Sequence, residues 1–181
     1  MARMSHPEIS VHVNLLGRRT KNAMDKHFKT ALQVLQYLHS SNDEGITLCK
    51  ADNLNLTIYT DAAYRGENSH LQTGAIMCLG NQLVGWYSQR QDVVSLSVTE
   101  AEYIADCEGT KGPAWAQQFL SEIEISTLPT LRTDSEGAYH LSKIPKFMRR
   151  SRHMEHCFHY FCQQVRAKKL TIYTTSGRTI R

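Results

Sequence analysis

Leu54-Asn55-Leu56-Thr57-Ile58-Tyr59-Thr60-Asp61 alternates apolar and polar side chains and then closes on a carboxylate. A period of two is the pattern of a strand with one buried face, so the stretch predicts a strand that delivers an acid to its end. Two further strand-like runs follow at 72–79 and 82–88, separated by Gly80-Asn81, residues that accept the positive φ of a tight hairpin turn. Ser97-Val98-Thr99-Glu100 has the spacing of a capping box, opening a helix through Glu102, Tyr103 and Ala105 towards Gly109. A second helix is expected from about Pro113, carrying Trp115, Phe119, Leu120 and Ile123. Residues 130–133 form a short strand candidate that also closes on an acid, Asp134. A helix at 136–142, a break at Pro145, a helix at about 151–167 and a strand at 170–173 complete the downstream part. Upstream, apolar residues at Phe28, Leu32, Leu35 and Leu38 predict an amphipathic helix over 22–39, ended by Ser41-Asn42-Asp43 and Gly45.

Three strands joined as a meander and then two reached through helical crossovers predict a mixed five-stranded α/β sheet, antiparallel first and parallel later, with flanking helices. In such sheets sites gather at strand ends near a switch point, where Asp61 and Asp134 would meet.

With 181 residues, 41% hydrophobic and 21% charged, the chain has the composition of a folded domain, which disfavours disorder, collagen and coiled coil. No apolar run approaches the roughly 20 residues needed to cross a bilayer, so no membrane partner is expected. The five cysteines are odd in number, widely spaced and without a Cys-x-x-Cys pair, and read as reduced, intracellular and mostly buried. Charge is partitioned: residues 1–60 carry net +2, 61–140 net −7 and 141–181 net +9, within an overall +4. An acidic middle can hold metal and a basic end can hold phosphate, which suits a nuclease; a solvated basic helix accounts for the end equally well.

The acids decide the chemistry. Glu100 and Glu102 lie two apart on one predicted helix, so only one of them can face the sheet alongside Asp61 and Asp134. Three carboxylates from distant segments suit Mg²⁺ or Mn²⁺ better than zinc, and two such ions about 3.5–4 Å apart favour phosphodiester hydrolysis. A zinc cluster of His153, His156, Cys157 and His159 is a weaker reading, because one continuous helix does not wrap a tetrahedral ion.

The run Val93-Val94-Ser95-Leu96-Ser97-Val98-Thr99-Glu100-Ala101-Glu102-Tyr103-Ile104-Ala105 resembles the "SLSSTEAEYxA" motif of copia-type retrotransposon RNase H. Tyr59-Thr60-Asp61-Ala62-Ala63-Tyr64-Arg65-Gly66 is similar to the family's "YSDADWAG", and Gly85-Trp86-Tyr87-Ser88-Gln89-Arg90-Gln91 to its "ISWxSKKQ" hairpin. Arg132-Thr133-Asp134-Ser135 corresponds to the third acidic motif, and Arg150-Ser151-Arg152-His153-Met154-Glu155 to "RTKHID". His6-Pro7-Glu8-Ile9 and residues 27–38 resemble the end of the reverse transcriptase that precedes RNase H.

The resemblance implies an RNase H-like domain at 51–181 behind a connection segment at 1–50. It implies endonucleolytic cleavage of the RNA strand of RNA–DNA hybrids during reverse transcription, with two Mg²⁺ ions or substituted Mn²⁺. Asp61, Glu102 and Asp134 take the metal-ligand positions, Glu102 rather than Glu100. The implied partners are the hybrid and the polymerase domain of the parent polyprotein, and the implied setting is a cytoplasmic virus-like particle or the nucleus. Lys146, Arg149, Arg150 and Arg152, with His153 beside them, are the expected contacts to the nucleic-acid backbone. The family places a fourth acid shortly after the last strand, and residues 174–181 contain none. That sets a second reading beside the first: a weakly active or non-catalytic RNase H-like module, serving as connector or hybrid-binding platform and adopted by a host in one version.

Overall fold

The computed structural model describes residues 2, 5–51, 53–63, 71–92, 94–95, 97–143 and 155–174, without the side chains of 155–158. The sheet comprises β1 (Leu56–Ala63), β2 (Gln72–Leu79), β3 (Gln82–Arg90), β4 (Thr130–Thr133) and β5 (Thr171–Thr174), in the order β3-β2-β1-β4-β5. β1, β2 and β3 pair antiparallel, whereas β4 joins β1 and β5 joins β4 in parallel. This is the expected RNase H-like architecture, with helices flanking a mixed sheet. Gly80, at φ +60°, makes the β2–β3 turn; a Cβ there would lie 2.3 Å from the Asn53 carbonyl oxygen.

The helices are α1 (Ser10–Gly17), α2 (Asp25–Ser40), α3 (Val98–Gly109), α4 (Lys111–Glu122), α5 (Glu136–Lys143) and α6 (Glu155–Arg166). α3 starts as its sequence predicts, the Ser97 hydroxyl accepting the Glu100 N–H at 3.1 Å. It is the core helix, with Ala101, Glu102, Tyr103, Ile104, Ala105, Asp106, Cys107 and Gly109 all buried. Ile58, Leu131 and Ile172, one from each of β1, β4 and β5, meet Tyr103 and Cys107 of α3, Ala138 of α5, and Phe161 and Cys162 of α6. Tyr103 and Phe161 pack edge to face at 5.4 Å, each worth about 1.5–3 kcal/mol of burial. Gly109 permits the close approach of α3 to β1, since a Cβ there would lie 2.3 Å from Thr60 Cγ2.

Two differences from the sequence reading have physical causes. Helix α1 was not expected: Ser10-Val11-His12-Val13 carries alternating β-branched residues and no apolar stripe. Tertiary contact supplies what local pattern lacks, because α1 packs on β3 and Arg18, just past its end, bonds both Asn14 and Gln72 of β2. Residues around α1 therefore lie against the sheet. β1 also continues two residues past Asp61, because Ala62 and Ala63 still pair with Thr73 and Gln72. The four cysteines whose side chains are described form no disulfide; Cys107 and Cys162 are buried, Cys78 is half-buried and Cys49 is exposed. Among the described residues no helix is long and apolar enough to cross a membrane.

Candidate metal centre

The parallel pairing of β1 with β4 ends at Tyr59 opposite Arg132. Two residues farther along each strand come Asp61 and Asp134, so the two acids sit together where the carboxyl ends of the parallel pair diverge. Glu102 joins them from the second turn of α3. One ligand oxygen from each of Asp61, Glu102 and Asp134 lies within 4.8 Å of the others. Asp61 and Asp134 are exposed, whereas Glu102 is only 8% exposed. Its Oε2 accepts the Ala62 N–H at 3.1 Å, which fixes the carboxylate beside the strand. Glu100 belongs to the helix cap and lies outside this cluster.

Burial, compounded by the charges of Asp61, Asp134 and Asp106, pushes the Glu102 carboxyl up to about 8, against the downward pull of the Ala62 hydrogen bond. Converging carboxyls raise one another's affinity for a proton, and burial adds most to that of Glu102. A divalent cation relieves that repulsion, and an all-oxygen donor set on one open side suits a hard ion that retains water and takes phosphate. The residues present thus fit Mg²⁺ or Mn²⁺.

Beneath the cluster lies a residue the sequence reading passed over. Asp106, fully buried, sits one helical turn after Glu102. Its Oδ1 accepts the Thr60 hydroxyl at 2.5 Å, and Thr133 also hydrogen-bonds its carboxyl. Asp106 Oδ2 is buried and has no hydrogen-bond partner among the described residues. Burial raises this carboxyl to about 7, opposed by the two threonine bonds and assisted by the charge of Asp134. The available signal was an acid at i+4 from a candidate ligand, on a helix otherwise lined with Ala, Tyr and Cys on its inner side.

Lys146, Arg149, Arg150, Arg152 and His153 lie outside the described residues, as do the side chains of His156 and Cys157. His159 is exposed on α6.

A β3-β2-β1-β4-β5 sheet with acids at the carboxyl end of its parallel pair defines an RNase H-like protein. The N-terminal RNase H domain of rv2228c from Mycobacterium tuberculosis has the same fold: TM-score 0.50 at 13% identity, covering 69% of this chain and 84% of that one. The chain is homologous to a segment of the retrovirus-related Pol polyproteins of copia-type transposons. It is 32% identical over 172 residues to the Pol polyprotein from transposon RE2 of Arabidopsis thaliana, covering 93% of this chain and 12% of that protein. It is 29% identical over 171 residues to that from transposon TNT 1-94 of Nicotiana tabacum, covering 93% and 13%. The chain therefore spans roughly an eighth of the length of these relatives. No family model matches it.

Proposed function

We propose that the chain is a ribonuclease H that hydrolyses the RNA strand of RNA–DNA hybrids endonucleolytically during retrotransposon reverse transcription. The observation that carries this reading is the convergence of Asp61, Glu102 and Asp134 from β1, α3 and β4. Those three residues would hold the divalent ions, two Mg²⁺ or, as substitutes, Mn²⁺. When bound, such ions polarise a phosphodiester, ready a water and stabilise the leaving oxygen. Asp61 and Asp134 are both exposed, so a phosphate can reach them. Glu102 closes the cluster from its buried side, held by the Ala62 N–H, and would hold a divalent ion as its carboxylate.

In the same reading residues 1–50 are the connection from the reverse transcriptase, residues 51–181 are the RNase H-like domain, and the polymerase domain of the polyprotein is the covalent partner. The setting is the cytoplasmic particle of a retroelement, or the nucleus. Lys146, Arg149, Arg150, Arg152 and His153 contact the hybrid's backbone.

Cleavage of a labelled RNA–DNA hybrid in Mg²⁺, and separately in Mn²⁺, tests the proposal. Hybrid-specific cutting should fall at least about 100-fold, on the order of 3 kcal/mol of barrier, in both Asp61→Asn and Glu102→Gln. A chain that binds hybrid with a steep salt dependence but never cuts it is instead a binding or connector module.

A further inference from the structure

We infer that Asp106 is a positioning residue of the metal centre, its carboxyl tying the backbone just ahead of Asp61 and just ahead of Asp134 to the helix that carries Glu102. The inference rests on reading those three acids as metal ligands. Thr60, which donates to Asp106 Oδ1, immediately precedes Asp61 in β1. Thr133, which bonds the same carboxyl, immediately precedes Asp134 at the end of β4. Asp106 itself is one turn beyond Glu102 on α3. One buried group thus meets all three segments that supply a ligand.

Thr133 extends the tie around Asp134, because its hydroxyl also accepts the Ser135 N–H at 3.3 Å. The Asp134 backbone is held from both sides, through Thr133 and through Ser135. Packing reinforces the link to β1: Gly109 brings α3 so near Thr60 that no Cβ fits between them. Asp106 and Thr133 are fully buried and Thr60 is 7% exposed, so water does not compete for these bonds. Hydrogen-bonded partners behind a metal ligand set its orientation, and losing one typically lowers metal affinity or activity by about 10–100-fold. An acceptor is required at position 106, since an apolar side chain of similar size would leave two buried hydroxyls without their partner.

The test uses the full chain with Asp106→Leu, Asp106→Asn and Thr60→Val, reading Mn²⁺ uptake by electron paramagnetic resonance and thermal unfolding in EDTA. Asp106→Leu should remain folded in EDTA yet bind Mn²⁺ about 10–100-fold more weakly. Asp106→Asn, which keeps an acceptor oxygen, should restore uptake. Thr60→Val should weaken Mn²⁺ binding in the wild-type background and add nothing in the Asp106→Leu background, as expected of two members of one network. If Asp106→Leu does not fold, Thr60→Val alone decides. Unchanged Mn²⁺ affinity in a folded Asp106→Leu or in Thr60→Val, or an equal loss in Asp106→Asn and Asp106→Leu, overturns the inference while leaving the metal-site reading intact. A wild-type chain that takes up no Mn²⁺ overturns both.

Discussion

Helices α2 and α3 differ in a way their sequences invert. α2 has the cleaner amphipathic pattern, with Phe28, Leu32 and Leu35 on one stripe, yet none of its residues is buried and those three are 67%, 42% and 60% exposed. α3 has almost no stripe and is buried nearly all round. A stripe reports that a face wants a partner, without saying that the same segment of chain supplies it. A helix clasped between a sheet and two other helices needs no stripe, because every side is inside. Among the described residues α2 packs against α1 and, with the turn ahead of α1, lines a groove of about 410 Å³ bounded in part by Ile9, His12, Val34 and Tyr37.

Substitution should separate the two helices sharply. Tyr103→Ala, in the α3 core, is expected to cost about 3–5 kcal/mol by chemical denaturation, as other buried aromatics do. Gly109→Ala should cost about 1–3 kcal/mol, since the added carbon meets Thr60 Cγ2 and α3 must move off β1. The same shift should weaken Mn²⁺ binding, whereas Tyr103→Ala acts mainly on stability.

Protons sharpen the contrast, because α3 carries two carboxyls with raised affinity for them. Glu102 and Asp106 hold protons in the folded chain up to about 8 and about 7, while the unfolded chain loses them near pH 4. Between those limits the native state binds more protons, so stability of the metal-free chain should fall as pH rises from about 4 to about 8, by about 1.4 kcal/mol per pH unit for each proton held only in the folded state. Saturating Mg²⁺ should flatten that slope by favouring the ionised carboxylates. The smallest effect belongs to α2: Leu35→Ala should stay within about 0.5 kcal/mol of wild type. A loss above 2 kcal/mol there would mean that this face is covered in solution.

Nearly every strand and helix was readable from the chain because local pattern and tertiary role agree in them. The Leu54–Thr60 alternation, the Gly80-Asn81 turn and the Ser97 cap each specify their element with nearby residues alone. Helix α1 escaped because Arg18 and Gln72, distant in sequence, hold it in place. The three acids were readable as strand-end and helix-start carboxylates, and Glu102 separates from Glu100 once the cap is recognised. Asp106 was not, since its role depends on hydroxyls of Thr60 and Thr133 that only the folded sheet brings to one point.

The parallel pairing of β1 with β4 also has a meaning in time. Parallel strands cannot be joined by a tight turn, and here roughly 70 residues must be looped out before Thr57 finds Thr130. Asp61 and Glu102 emerge early during synthesis, but their third companion leaves the ribosome only after α4 has been made. A nascent chain therefore has no assembled acid cluster to scavenge divalent ions, and acquires one in the step that pairs β4 with β1.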